Sequence, residues 1–201
     1  MICMGSAWDF PTSLNIGGVD YEIRTDYRAV LDLLAALSDK DMQGDTERET
    51  NYIQCELIRR IMLENPDELL PEDAQEVFNA ISEFIDMGTE QSDKKSPRLM
   101  DWEQDATLII PAVNRVVGHE VRADKYMHWW TFLSAYMEIG ECTFSHILSI
   151  RQKKATGKKL EKWEQEYIRN NKEIVLLKDK LSEEEKKERE EEAKFLNELL
   201  G

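Results

Sequence analysis

Histidine and cysteine are scarce in this sequence, with three of each in 201 residues. His119, His128 and His146 stand 9 and 18 residues apart, and none belongs to an HExxH or a repeated i, i+4 ligand pair. That spacing excludes the familiar zinc hydrolases. Cys3, Cys55 and Cys142 are far apart, odd in number and without a CxxC spacing, which excludes a disulfide framework or zinc ribbon. They read as reduced thiols in a cytosol, two of them in the core. No glycine-rich phosphate loop, GxSxG elbow or EF-hand loop is present. No apolar run approaches the ~18 residues of a membrane span. The opening MICMGSAW lacks the basic residues and apolar stretch of a signal peptide. The expectation is a soluble intracellular protein with no catalytic, metal-binding or cofactor-binding residues. His128, beside a tryptophan pair, reads as a hydrogen-bonded structural histidine ahead of a ligand or titrating group.

Positive charge is the other shortage. Lysine and arginine number 26 against 41 acids, a formal charge of −15. The deficit is concentrated early: residues 1–99 hold 21 acids and 9 bases, net −12, and the remainder nets −3. Such a surface repels nucleic acid and anionic membranes. With so many acids, clustered Asp and Glu are expected on solvated faces. A charged fraction of 33% and a mean hydropathy of −0.57 point to long solvated helices, while 41% apolar residues suffice for a globular core.

What is present is mainly α. Ser13 to Ile23 alternates apolar residues about Gly17-Gly18, the pattern of a tight hairpin. Asp26 is placed to cap a helix to Leu37, and Thr46 with Glu49 forms a capping-box pattern for the next, ended by Asn65-Pro66. A third helix starts at Pro71, carries Val77, Phe78, Ile81, Phe84 and Ile85, and stops at Gly88. Thr89 to Pro97 has no apolar residue and reads as a linker. Asp101 can cap a helix through Val117, with Pro111 kinking or splitting it. Helix 142–154 follows. The organisation is therefore a helical bundle with a short N-terminal β-hairpin and a long charged C-terminal helical segment. Its parts are an N-terminal lobe (1–88), a polar linker (89–99), a central lobe (100–157) and charged C-terminal helices (158–201).

Asp124 to Ile139, DKYMHWWTFLSAYMEI, organises the rest. At about 100° per residue its apolar face covers more than half the circumference. It is therefore either core alone, or core on one side and contact with another chain on the other. Trp102, Tyr126, Trp129, Trp130, Leu133 and Tyr136 are assigned to the core. The flank His128, Phe132, Ile139 is assigned to partner contact.

Beyond Gly157, Leu160, Trp163, Tyr167, Asn170, Ile174, Leu177 and Leu181 alternate intervals of three and four, a heptad seam with one polar member. Self-association through Trp163, Tyr167, Asn170, Ile174, Leu177 and Leu181, and folding back on the bundle, both remain open. After the run SEEEKKEREEE, Phe195, Leu196, Leu199 and Leu200 form an apolar patch, a docking peptide or a packed or frayed end. Arg151, Lys153, Lys154, Lys158, Lys159 and Lys162 make one basic segment. Stabilisation of a helix C-terminus accounts for it first, self-association second and phosphate contact third.

The hairpin with Asp26-Tyr27-Arg28, DWEQDA (101–106), YMHWWTF (126–132) and TFSHILSIR (143–151), in that order over roughly residues 12–180, resembles the bacteriophage gene-product-fifteen family of Gram-positive tailed phages and prophages. The chain departs at Ile150, where the pattern carries an aromatic. The resemblance implies a non-enzymatic tail assembly chaperone, without cofactor, that coats the tape measure protein in the host cytoplasm, together with other copies of itself, and is absent from the mature virion. A structural virion component such as a head–tail connector subunit is the main rival. A small helical hydrolase and a nucleic-acid-binding regulator come after it.

Overall fold

Gly17 and Gly18 adopt φ of +58° and +88°, conformations open to glycine at little cost, and so close a two-residue turn. It joins β1 (Ser13–Ile16) to β2 (Val19–Glu22) in an antiparallel pair with Ser13 opposite Glu22 and Ile16 opposite Val19. This computed structural model describes residues 9–42, 44–87 and 97–178. The Gly88 stop, nearly all of the 89–97 linker, Cys3, Leu181 and the patch Phe195, Leu196, Leu199, Leu200 lie outside those residues.

Eight helices follow the hairpin among the described residues: α1 (Tyr27–Leu37), α2 (Glu47–Met62), α3 (Ala74–Ile85), α4 (Ala106–Val117), α5 (Trp129–Met137), α6 (Thr143–Ala155), α7 (Lys162–Asn170) and α8 (Lys172–Val175). Local chemistry sets most of the starts. Asp26 accepts from the Arg28 N–H at 3.0 Å and Thr46 from the Glu49 N–H at 3.2 Å, each satisfying a donor with no intrahelical partner. Cys142 and Ser145 cap α6 reciprocally. Gly118, at φ +83°, terminates α4. Pro111 neither splits nor ends α4, which runs on to Val117. Asp101 caps the turn before it, accepting from the Glu103 and Gln104 N–H groups, and the helix itself starts four residues later than the sequence suggested.

The hairpin lies on α3, where Leu14 and Ile16 are buried and Tyr21 donates to Asp73 at 2.6 Å. Residues 22–26 then tie three regions together. Glu64 N–H donates to the Glu22 carbonyl, Arg24 N–H to the Met62 carbonyl and Trp129 N–H to the Thr25 carbonyl. One continuous apolar core runs from Leu14 to Phe144, drawing on residues from both sides of the 89–99 segment. A second, smaller cluster of Ile147, Ile150 and Val175 sits beneath α7 and α8.

Candidate partner-binding surface

The HWW triplet sits at the start of α5, not in the middle of a longer helix. Asp124 to Met127 are not helical, and His128 forms a β-bridge with Asp26 and serves as the N-cap. Its Nδ1 accepts from the Trp130 N–H at 3.1 Å, and its Nε2 lies 3.1 Å from the Pro11 carbonyl. Those partners require a neutral ring with the proton on Nε2. Burial also pushes its pKa below the ordinary imidazole value. Phe10 stacks on it at 4.4 Å.

The two tryptophans that follow share one task. Trp129 Nε1 donates to the Ile85 carbonyl at 2.9 Å and Trp130 Nε1 to the Phe84 carbonyl at 2.8 Å. Both acceptors lie in the last turn of α3, where carbonyls lack intrahelical donors. The indoles thus close the end of one helix while burying their rings at the start of another.

This geometry corrects part of the sequence reading. His128 is 3% exposed and Phe132 fully buried, so neither offers a surface to a partner. The sequence pattern places the contact flank on a helix running from residue 124. The helix starts at Trp129, and both α1 and α4 pack against it. Phe132 stacks on Tyr27 of α1 at 4.5 Å. Ile139 is half-buried against the core. Tyr126, assigned to the core, is 55% exposed, although its hydroxyl meets the Thr25 hydroxyl at 2.6 Å. Trp129 and Trp130 are buried, while Trp102, Leu133 and Tyr136 are half-buried against the same core. Cys55 and Cys142 are half-buried free thiols, and Cys142 packs against the core.

The exposed edge of this hub is a groove of about 370 Å³ lined by Leu34, Ile85, Asp86, Met87, Trp102, Trp129, Leu133 and Met137. Met137 stands at the edge with 62% exposure. Asp86 is its one charged lining residue, so the groove offers apolar contact beside a carboxylate. Such a surface suits the apolar face of a helix, with basic side chains tolerated at one edge.

The heptad seam does not run as one helix. Asn171 interrupts it at φ −133°, donating from Nδ2 to the Tyr167 carbonyl at 3.0 Å and closing α7. Trp163 and Ile174 are largely exposed, Asn170 is exposed, and Tyr167 and Leu177 are half-buried. The buried anchor is Val175, which lies off the seam, so this stretch folds back on its own chain.

Three charged residues missed from sequence are buried here: Asp105, Arg151 and Glu164. Arg151 leaves the surface patch altogether, pairing with Asp105 at 2.7 Å. Lys153 reaches Glu164 at 2.7 Å and holds that carboxyl below its usual pKa. Both acids fall in apolar phase, Asp105 with Ile109 and Val113, Glu164 with Leu160 and Ile168. That placement is the signal that distinguishes them from solvated acids. Among the described residues no group of three or more His, Cys, Asp or Glu is placed to hold a metal, and no helix is long and apolar enough to cross a membrane.

The sequence profile of the bacteriophage Gp15 protein family matches residues 8–177, most of the chain. The chain belongs to that family. The matched span covers the hairpin, the HWW hub, the groove and the Asp105–Arg151 pair. No curated protein and no solved structure matches. In this Gp15 family chain the tryptophan pair closes the end of α3, and the groove beside it has a mostly apolar lining.

Proposed function

We propose that this Gp15 family protein is a tail assembly chaperone. It binds the tape measure protein through the groove between α1, α3 and α5, without nucleotide and without making or breaking a covalent bond. The observation that supports this reading most is the family match over residues 8–177, joined to a groove with a mostly apolar lining. A long helical client with apolar stripes needs reversible cover, and contacts through a few apolar side chains supply that. The formal charge of −15 keeps neighbouring copies soluble along one client through mutual repulsion. The protein acts in the host cytoplasm and leaves before the virion matures.

The deciding experiment is co-expression with a tape measure gene, followed by pull-down and size determination. A soluble complex of fixed stoichiometry is expected. Recovery of this chain as a constant component of purified particles would instead identify a structural subunit such as a connector.

A further inference from the structure

Residues 172–178 lie across α6 and the chain entering α4 and are held mainly through their backbone. Arg151 donates from Nε to the Val175 carbonyl and from Nη2 to the Ile174 carbonyl, both at 2.8 Å. Gln104 donates to the Leu176 carbonyl at 2.7 Å and accepts from the Lys178 N–H at 2.9 Å. Arg98 reaches the Lys178 carbonyl at 3.4 Å. One side chain anchors the segment: Val175, 1% exposed, on Ile147 and Ile150.

The receiving groove is organised without its occupant. Arg151 is fixed by two bonds to Asp105 and one to the Leu99 carbonyl, none of which involves residues 172–178. The cluster beneath Val175 is separate from the main core. The segment is joined to α6 through an exposed loop in which Gly157 takes φ +67°, and then through α7, whose one fully buried residue is Glu164. A cavity of about 410 Å³ lies beside the segment, lined by Ile150, Arg151 and Ala155 together with the segment's own Val175, Leu176 and Leu177.

We propose that this groove accepts residues 172–178 of a second copy as well as its own, so that copies join by exchanging the segment. A second copy is the occupant whose carbonyl register and valine anchor already match the groove, since every copy carries both halves. The same bonds form in either arrangement, and exchange costs only the hinge and the association. Dilute chains close on themselves because the tethered segment has the higher effective concentration. Crowded chains exchange. The inference stands apart from the identity of the client.

The test uses full-length protein. Val175→Asp puts a carboxylate where the apolar anchor sat and so loosens the segment's hold on the groove, and a fluorescent peptide of residues 170–178 is then titrated against variant and wild type. The peptide is expected to bind the variant tighter by on the order of tenfold or more, because an occupied groove lowers apparent affinity by the fraction vacant. Adding Gln104→Ala should weaken that binding. Mixed at high concentration, wild type and Val175→Asp should form a species of twice the chain mass. The near-UV signature of the tryptophan hub monitors folding, and Val175→Ala takes the place of Val175→Asp if that signature is lost. A folded variant that ignores the peptide overturns the proposal. So does peptide binding with no joined species, which would confine the segment to its own chain.

Discussion

Arg151 and Asp105, 46 residues apart in the chain, meet over two parallel hydrogen bonds of 2.7 and 2.8 Å. The guanidinium has five N–H donors, and all five are used: two on Asp105 and three on the carbonyls of Leu99, Ile174 and Val175. Asp105 also accepts from the Asp101 N–H at 3.0 Å. The pair thus joins the start of α4, α6, the chain entering α4 and the end of α8.

Removing one member strands the other away from water. Arg151→Met should destabilise the fold by about 3–5 kcal/mol, the usual cost of breaking a buried pair. Arg151→Lys should recover little, because a single ammonium cannot supply the parallel fork. The double variant Asp105→Leu/Arg151→Met should regain part of the loss. Urea unfolding measures all three, and equal stability of wild type and Arg151→Met would refute this account.

The tryptophans make a second prediction. Trp129 is 1% exposed and closes α3 through its indole N–H. Trp129→Ala should cost about 3–5 kcal/mol. Trp130→Phe keeps most of the ring but drops the bond to the Phe84 carbonyl, which still accepts from the Met87 N–H at 3.2 Å, and should cost about 0.5–1.5 kcal/mol, the net worth of one hydrogen bond. A cost for Trp130→Phe matching that of Trp129→Ala would mean the hydrogen bond dominates the ring.

These relationships explain which parts of the fold were readable from sequence. Gly17-Gly18, Asp26, Thr46 and the apolar face of α3 act on neighbours a few residues away, and the structure keeps each in its expected role. The start of α5 was misplaced because His128 depends on a carbonyl 117 residues distant and the indoles on carbonyls 44 and 46 residues distant. Local periodicity cannot register such partners. The seam over 160–181 differs in another way: its apolar spacing is regular, but the backbone leaves the helix at Asn171, at φ −133°, with the side-chain amide bonded back to the Tyr167 carbonyl.

Stability should also depend on pH through two histidines of opposite sign. His128 is held neutral, with its pKa lowered by burial. Its contribution is complete above the unfolded value of about 6.5 and is lost as pH falls below it, since the unfolded chain then binds more protons. His119 is raised by its bond to Asp124. Its exposed pair therefore contributes below about pH 6.5 and fades as pH rises through the folded value. In a His119→Ala background, the urea midpoint should fall between about pH 6.5 and 5.5. His128→Gln should flatten that fall, and an unchanged slope would assign it to other groups.

The last prediction separates binding from folding. Met137 is 62% exposed at the edge of the α1/α3/α5 groove, so Met137→Asp should alter stability by no more than about 0.5 kcal/mol. A carboxylate there would sit in a groove that already carries Asp86, placing a second negative charge where an apolar client residue would otherwise be covered. Desolvating that charge works against binding, so capture of the co-expressed tape measure protein should drop on the order of tenfold, about 1.4 kcal/mol. Trp163→Asp, at an exposed position on α7 away from this groove, should leave capture unchanged. If Met137→Asp captures the client as well as wild type and Trp163→Asp does not, the client surface lies on the C-terminal helices and the groove assignment falls.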